Sequence, residues 1–503
     1  MTFTRIQPLI ITTCFVALAT ALASGQENSP KTNAPQKAHI EAVIQQLGTA
    51  FIQEKSHVGL SIGIVQNGQT SFYSFGTTEK GTNQLPTQNT IYEIGSISKT
   101  FGSLMLAKAV VDKKVKLDDD IRQYLDGDYP NLAYQGKPIK LVHLTNWTSA
   151  LPDNFPDNPD AYKQANPDSI PFLIVSKLRD YTRQDFFNDL HAVTLKVAPG
   201  QNPHHSNVAA QLLGYILEKI YQMPFEELVK TQIEQPLGLR NTFASESSSD
   251  QFAVGYNGKG TQMPAFTIKD QQAAGGLRYS TTDLLKYAAY QLDESNEAVK
   301  LSHQSTWGNA DNQSFGLNWF LNKTIDSKRR IEHSGGTFGF ASFCDLYPDQ
   351  KTGLVLLAND ADQSTQNQLD ELSKKIMAVL YGEPVGLSAL NTSIKTRGYA
   401  QIIDVVKAVR KKHPELHLSE NYVNGWGYIL ARQGKLKEAL EIFKLNVSLY
   451  PKAWNTYDSL AENYEHMGNR AQAIKNYTRS LALNPQNTTA SEYLKKIGEP
   501  TVK

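Results

Sequence analysis

Cysteine is almost missing from this sequence: Cys14 and Cys344 are its only thiols, so no disulfide framework can carry the fold and packing must. Charge of one sign is missing too, with 50 Lys and Arg against 49 Asp and Glu. Without a basic run there is no electrostatic footprint for nucleic acid or an anionic membrane surface, which excludes a sequence-independent polyanion binder. Neither Gly-x-x-x-x-Gly-Lys nor Gly-x-Gly-x-x-Gly occurs, so no phosphate-cradling loop is legible and no nucleotide cofactor is expected. Long apolar runs are absent after residue 23. What is present, 40% hydrophobic and 10% aromatic residues over 503 positions, suffices for two or three ordinary cores.

The one apolar run, Leu9 to Ala23, follows Arg5 and ends in the small-residue pattern Ala21-Leu22-Ala23. It reads as a secretory signal over residues 1–23, the alternative being an uncleaved anchor, which a short run broken by Thr12 and Thr13 serves poorly. Ile11-Thr12-Thr13-Cys14 lacks the small residue that a lipoprotein signal needs before its cysteine. Removing the signal removes Arg5 and Cys14, leaving one thiol and a formal charge of zero. The expected location is periplasmic or secreted, with no membrane span in the mature chain.

Residues 24–37, rich in Ser, Asn, Pro, Lys and Gln, read as a flexible leader. From Ala38, apolar residues at Ile40, Val43, Ile44, Leu47 and Phe51 mark one helical face. Leu60, Ile62 and Ile64 then alternate as in a strand, Asn67-Gly68 is a tight-turn pair, and Thr70 to Phe75 returns. The next two hundred residues read as helices broken by Pro- and Asn-rich loops. Strand character returns over Phe338 to Tyr347 and Gly353 to Leu357. Sheet, helical insertion and sheet again predict a discontinuous α/β domain over 38–381, an antiparallel sheet flanked by helices plus an all-helical insertion. Residues 382–396, with Pro384 and Gly386, read as a linker.

Beyond it, Gly434, Ala439, Phe443 and Pro451 recur as Gly468, Ala473, Tyr477 and Pro485, a period of 34 residues. That period is the mark of tetratricopeptide repeats, so 397–503 is expected to be an all-α repeat region offering a surface to a protein partner; a generic helical bundle is the alternative. Residues 396–503 hold 16 basic and 10 acidic side chains, so the neutral mature chain divides into a front part of −6 and a tail of +6.

Chemistry concentrates in three short segments. In Ser96-Ile97-Ser98-Lys99 the serine and lysine lie one helical turn apart, so an amine can reach a hydroxyl at a helix start whose N–H groups favour an oxyanion. Alone, Ser96 could equally be a helix cap. His205-Ser206-Asn207 follows Pro199-Gly200 and opens a helix, and His333-Ser334-Gly335-Gly336 enters a strand. Taken together the three resemble the motifs of the serine β-lactamase-like hydrolases, which include class C β-lactamases, D,D-carboxypeptidases, D-aminopeptidases and esterases. Trp147 to Pro152, Pro236 to Leu239, Ala274 to Leu277 and Phe315 to Trp319 agree in order and separation over Ala38 to Tyr381.

The resemblance implies a β-lactamase/transpeptidase-like fold and catalytic roles for Ser96 as acylated nucleophile and Lys99 as base or proton shuttle. Asn207 would hold the substrate carbonyl or fix Lys99. His333, Gly335 and Gly336 would form the substrate-facing third motif, with the backbone N–H groups of Ser96 and Gly336 as oxyanion hole. His205 departs from the family's usual tyrosine; an imidazole can also relay a proton, or it can merely fill the space in an inactive site. His413 and His417 stand four apart but Pro414 breaks the helix between them, so no metal site is expected, and no cofactor is implied. The expected function is an exported serine hydrolase acting through an acyl-enzyme on an amide or ester such as a D-amino-acid peptide. The alternative is a degenerate binding domain whose repeats recruit a partner.

Overall fold

A computed structural model of the chain describes residues 34–498, apart from 55, 158–161, 241–251, 267, 269–270, 310–312 and 363. The expected signal over 1–23 and most of the leader lie outside the described residues. Ordered structure begins before Ala38: helix α1 spans Ala34–Gln53 and takes in the last leader residues, with Ile44 and Phe51 buried further along it.

Strands β1 (Gly59–Gln66) and β2 (Gln69–Gly76) form the expected hairpin, with Asn67 and Gly68 both at positive φ, 50° and 80°. The remaining sheet strands come from the far side of the helical insertion: β3 (Trp307–Asn309), β4 (Gln313–Phe315), β5 (Phe320–Lys323), β6 (Arg329–Gly336), β7 (Ala341–Tyr347) and β8 (Thr352–Ala358). The eight are antiparallel in the order β2-β1-β8-β7-β6-β5-β4-β3, with Leu60 opposite Ala358.

Strand alternation divides two cores. Leu60, Ile62, Ile64, Leu354 and Leu356 face α1 and α5 (Thr365–Tyr381), meeting Ile44, Phe51, Leu369 and Ile376. Val65, Leu346, Val355 and Leu357 face the insertion, whose main helices are α2 (Ser98–Val111), α3 (Asn207–Tyr221) and α4 (Thr281–Gln291). Between them Phe101 stacks on Tyr279 and Tyr287, with ring centroids 5.2 and 4.1 Å apart. Burial of this apolar surface, at about 25 cal/mol per Å², is the main source of stability for a chain whose described cysteine, Cys344, is free and buried.

The linker expectation for 382–396 is corrected. Pro384 caps a helix, α6 (Val385–Arg397), where its missing N–H costs nothing, and Leu390 and Ile394 are buried in a third core. The helical region continues with α7 (Ile402–Lys412), α8 (Glu420–Arg432), α9 (Leu436–Leu449), α10 (Trp454–His466), α11 (Arg470–Leu483) and α12 (Thr488–Lys496). Ala439, Phe443, Ala473 and Tyr477 are buried, as their recurrence at 34 residues requires. This region touches the sheet at the β5–β6 turn: Ile325 packs into the third core, the His417 N–H donates to the Ile325 carbonyl (2.8 Å), and the Ser327 hydroxyl donates to the Glu415 carbonyl (2.7 Å).

Candidate active site

Ser96 sits in a 3₁₀ turn, Gly95–Ile97, that feeds directly into α2. A short strand, Ile91–Glu93, delivers it by pairing with Arg278–Ser280. The turn is pressed onto β6 and β7. Ser342 Oγ donates to the Ile94 carbonyl (2.8 Å), and a Cβ on Gly335 would stand 2.0 Å from that same oxygen. Only glycine permits this approach, so Gly335 is a packing requirement of the serine's position.

Lys99, 2% exposed, extends from the first turn of α2 to three oxygens: Ser96 Oγ at 2.8 Å, Asn207 Oδ1 at 2.7 Å and the Ala274 carbonyl at 2.6 Å. Burial pushes its amine down to about 7, against the opposing pull of the Asp153 carboxylate. An ammonium satisfies all three oxygens. After losing a proton the amine keeps two N–H groups, and Ala274 O and Asn207 Oδ1 can only accept. The lone pair is then left facing the Ser96 hydroxyl, the one partner able to donate.

Asn207 opens α3, whose cap Ser206 accepts from the Ala209 N–H (3.0 Å) and donates to the Pro152 carbonyl (2.6 Å). The Asp153 carbonyl accepts from the Asn207 and Val208 N–H groups at 2.8 and 3.3 Å, so the 151–155 loop is bolted to the helix start. His205 Nδ1 lies 2.6 Å from Asp153 Oδ1, and its ring meets Trp147 edge-on at 5.2 Å between centroids. Burial pushes the Asp153 carboxyl up, but the hydrogen bond and charge of His205, with His204 and Lys99 behind, hold it below the ordinary carboxylate range. His204 itself is exposed.

Ser96, Asp153, His205, Asn207 and Gly336 line one cavity of about 530 Å³, together with the apolar Phe155, Leu178, Phe266 and Phe338 and the ionisable Asp157, Tyr162 and Lys177. His333 is placed differently from the sequence expectation. It is 1% exposed and stands behind the cavity lining, donating from Nδ1 to the Ser334 carbonyl (2.6 Å) while Nε2 is buried without a hydrogen-bond partner. Burial, then the Lys99 charge, pushes it down to about 3, so it is neutral at ordinary pH. Gly335 likewise acts from behind the lining, through Ile94. Among the described residues no cluster of three metal-ligating side chains occurs. His413 Nδ1 lies 3.2 Å from Glu415 Oε1.

Asp153 and Asn154 were not legible as site residues. They lie 52 and 53 positions from the groups they bond, His205 and Asn207, and nothing in local spacing predicts that a Pro-rich loop folds onto α3. An acid directly following Trp147 to Pro152 was the available signal.

A family model described as Beta-lactamase matches residues 40–375. The chain is 25% identical over 364 residues to a Beta-lactamase of Pseudomonas fluorescens, covering 64% of this chain and 93% of that one. It is 27% identical over 340 residues to Protein flp of Staphylococcus aureus (strain N315), and the match spans 64% of that relative's own length and 64% of this chain. Among solved structures, a class C beta-lactamase superposes with a TM-score of 0.59 at 21% identity, covering 69% of this chain and 98% of that one. A Beta-lactamase/D-alanine carboxypeptidase from Yersinia pestis gives 0.58 at 23% identity, covering 68% and 99%. With Ser96, Lys99 and Asn207 joined through one buried amine, and with the family model spanning sheet and insertion alike, this chain belongs to the Beta-lactamase family.

Proposed function

We propose that the chain is an exported serine hydrolase that forms an acyl-enzyme on Ser96, with an amide or ester substrate such as a D-amino-acid peptide. The observation that carries this is the Lys99 amine, 2.8 Å from Ser96 Oγ, deprotonating near neutrality and left by its other two partners with its lone pair toward the serine. Lys99 takes the hydroxyl proton as Oγ bonds to the substrate carbonyl carbon. The oxyanion is held by backbone N–H groups of Ser96 and Gly336, and Asn207 keeps Lys99 aligned. His205, in the cavity, relays to the leaving group the proton that Lys99 has taken from Ser96, in the role that the family's tyrosine usually has. The relatives' names, β-lactamase and D-alanine carboxypeptidase, support the substrate class. Turnover of β-lactams is expected to be the lesser activity, since the third motif begins with His333 in place of the usual lysine.

Labelling with a penicillin or a fluorophosphonate, followed by peptide mapping, tests the reading. An adduct on Ser96, absent from Ser96→Ala, is expected; no adduct with either probe overturns it. Residues 1–23 are proposed as the signal that sends the protein to the periplasm or medium, tested by sequencing the N-terminus of exported protein. The helical region is proposed to be a tetratricopeptide array binding a protein partner. Its support is the doubled arrangement of buried Ala439 and Ala473, Phe443 and Tyr477, with Gly434 and Gly468 both at positive φ, 76° and 74°.

A further inference from the structure

We infer that Asp153 is the positioning residue of this site, its two carboxylate oxygens setting both the working tautomer of His205 and the amide orientation that aims Asn207 at Lys99. The inference rests on the Ser96–Lys99 reading above and extends it to a residue that lies outside all three motifs. An ionised carboxylate only accepts hydrogen bonds, so each partner of Asp153 must present a donor.

At Oδ1, 2.6 Å from His205 Nδ1, the ring must carry its proton on Nδ1, which leaves Nε2 as a free base in the cavity. At Oδ2, 3.0 Å from Asn154 Nδ2, the Asn154 amide must turn its NH₂ toward Asp153. Asn154 Oδ1 then faces Asn207 Nδ2 at 2.8 Å, which turns Asn207 Oδ1 to Lys99 Nζ at 2.7 Å. One carboxylate thus fixes the polarity of a chain of hydrogen bonds that ends at the serine. Its main chain cannot drift, being held by the Asn207 and Val208 N–H groups.

The chemical use of that tautomer is in hydrolysis of the acyl-enzyme. Water attacks the acyl carbonyl carbon while giving a proton to His205 Nε2, and the imidazolium so formed stands against the Asp153 carboxylate. Collapse breaks the bond to Ser96 Oγ, which takes the proton back from Nε2, and the carboxylic acid leaves. Asp157, Tyr162 and Lys177 are the other ionisable groups lining this cavity, while Lys99 and His204 act on Asp153, and His333 on His205, through their charges from outside the lining.

The test is Asp153→Asn in the full chain. An amide at this position holds Asn154 through its carbonyl but donates to His205 Nδ1, moving the ring proton to Nε2. The expected result is a fall in kcat of about 10²- to 10⁴-fold, with KM falling alongside it as acyl-enzyme accumulates, and the pH–rate profile displaced. Fluorophosphonate labelling of Ser96, in which the P–F bond breaks and fluoride leaves without needing a proton, should stay within about threefold of the parent. Asp153→Glu should recover part of the lost kcat. A parent protein that labels on Ser96, with an Asn variant whose kcat and pH profile are unchanged, overturns the inference while leaving the nucleophile intact; a parent that does not label fells both. In case the variant folds poorly, NMR of imidazole-labelled parent decides independently. A far-downfield Nδ1 proton on His205 is expected, and ring nitrogen shifts showing the proton on Nε2 overturn the assignment.

Discussion

Lys99→Met offers a test of the buried amine that does not depend on knowing the substrate. Displacement of an amine from its ordinary 10.5 to about 7 corresponds to ~5 kcal/mol of penalty on the charged form, at about 1.4 kcal/mol per pH unit. The sign follows from proton counts. Below about 7 both folded and unfolded chains hold the proton and the penalty is felt in full; between about 7 and 10.5 the unfolded chain still holds it while the folded one does not. Stability contributed at this position therefore rises with pH across that window. Methionine removes the titration, along with three hydrogen bonds whose loss costs about 1 kcal/mol each at every pH. Only the slope is diagnostic. Denaturant unfolding of parent and variant at matched pH should show the parent gaining ~2 kcal/mol relative to the variant between pH 7 and pH 9. A difference that stays flat over those two pH units refutes the depressed amine and, with it, the account of how Ser96 is activated. In the parent, kcat/KM should rise with pH through a midpoint near 7 for the same reason.

Three further outcomes follow from the packing. His333, held neutral down to about 3, makes the folded chain bind fewer protons than the unfolded one below about 6.5; His333→Gln should remove about 1.4 kcal/mol per pH unit of acid destabilisation between pH 6 and pH 4, read by urea unfolding. Gly335→Ala places a methyl 2.0 Å from the Ile94 carbonyl oxygen and should cost about 3 kcal/mol while lowering Ser96 labelling; an unchanged denaturation midpoint would show that the close approach is not real. Phe443→Ala, in the buried seam of α8 and α9, should cost about 3 to 5 kcal/mol, seen as early loss of helix by circular dichroism, with turnover within about twofold of the parent.

The legible parts were those set by short-range chemistry. Alternation in Leu60, Ile62 and Ile64 and the Asn67-Gly68 turn report local geometry and became the expected hairpin, and the 34-residue recurrence falls in a region that is helical. Ser96 and Lys99 are one helical turn apart, so their contact was readable too. The same rule explains the misses. Val385 to Arg397 carries Pro384 and Gly386 at its start, and only the buried Leu390 and Ile394, which need distant partners, make it a helix. His333 has the sequence of a substrate-facing motif, yet the register that sets it opposite Cys344 puts it behind the cavity lining. Asp153 was invisible because its meaning lies in a hydrogen bond across 52 positions, and a carboxylate in a Pro-rich loop has no period to betray it.

Strand β6 begins one residue after the turn that the C-terminal helices grip and ends at Gly336 in the cavity wall. Eight extended residues span ~26 Å, and a hydrogen-bonded central strand transmits displacement along its axis with little slack. The grip at Ile325 and Ser327 and the wall beside Ser96 are thus the two ends of one rod. The helical region and the surroundings of Ser96 are thereby joined by one continuous strand, with only Lys328 between the gripped turn and its start.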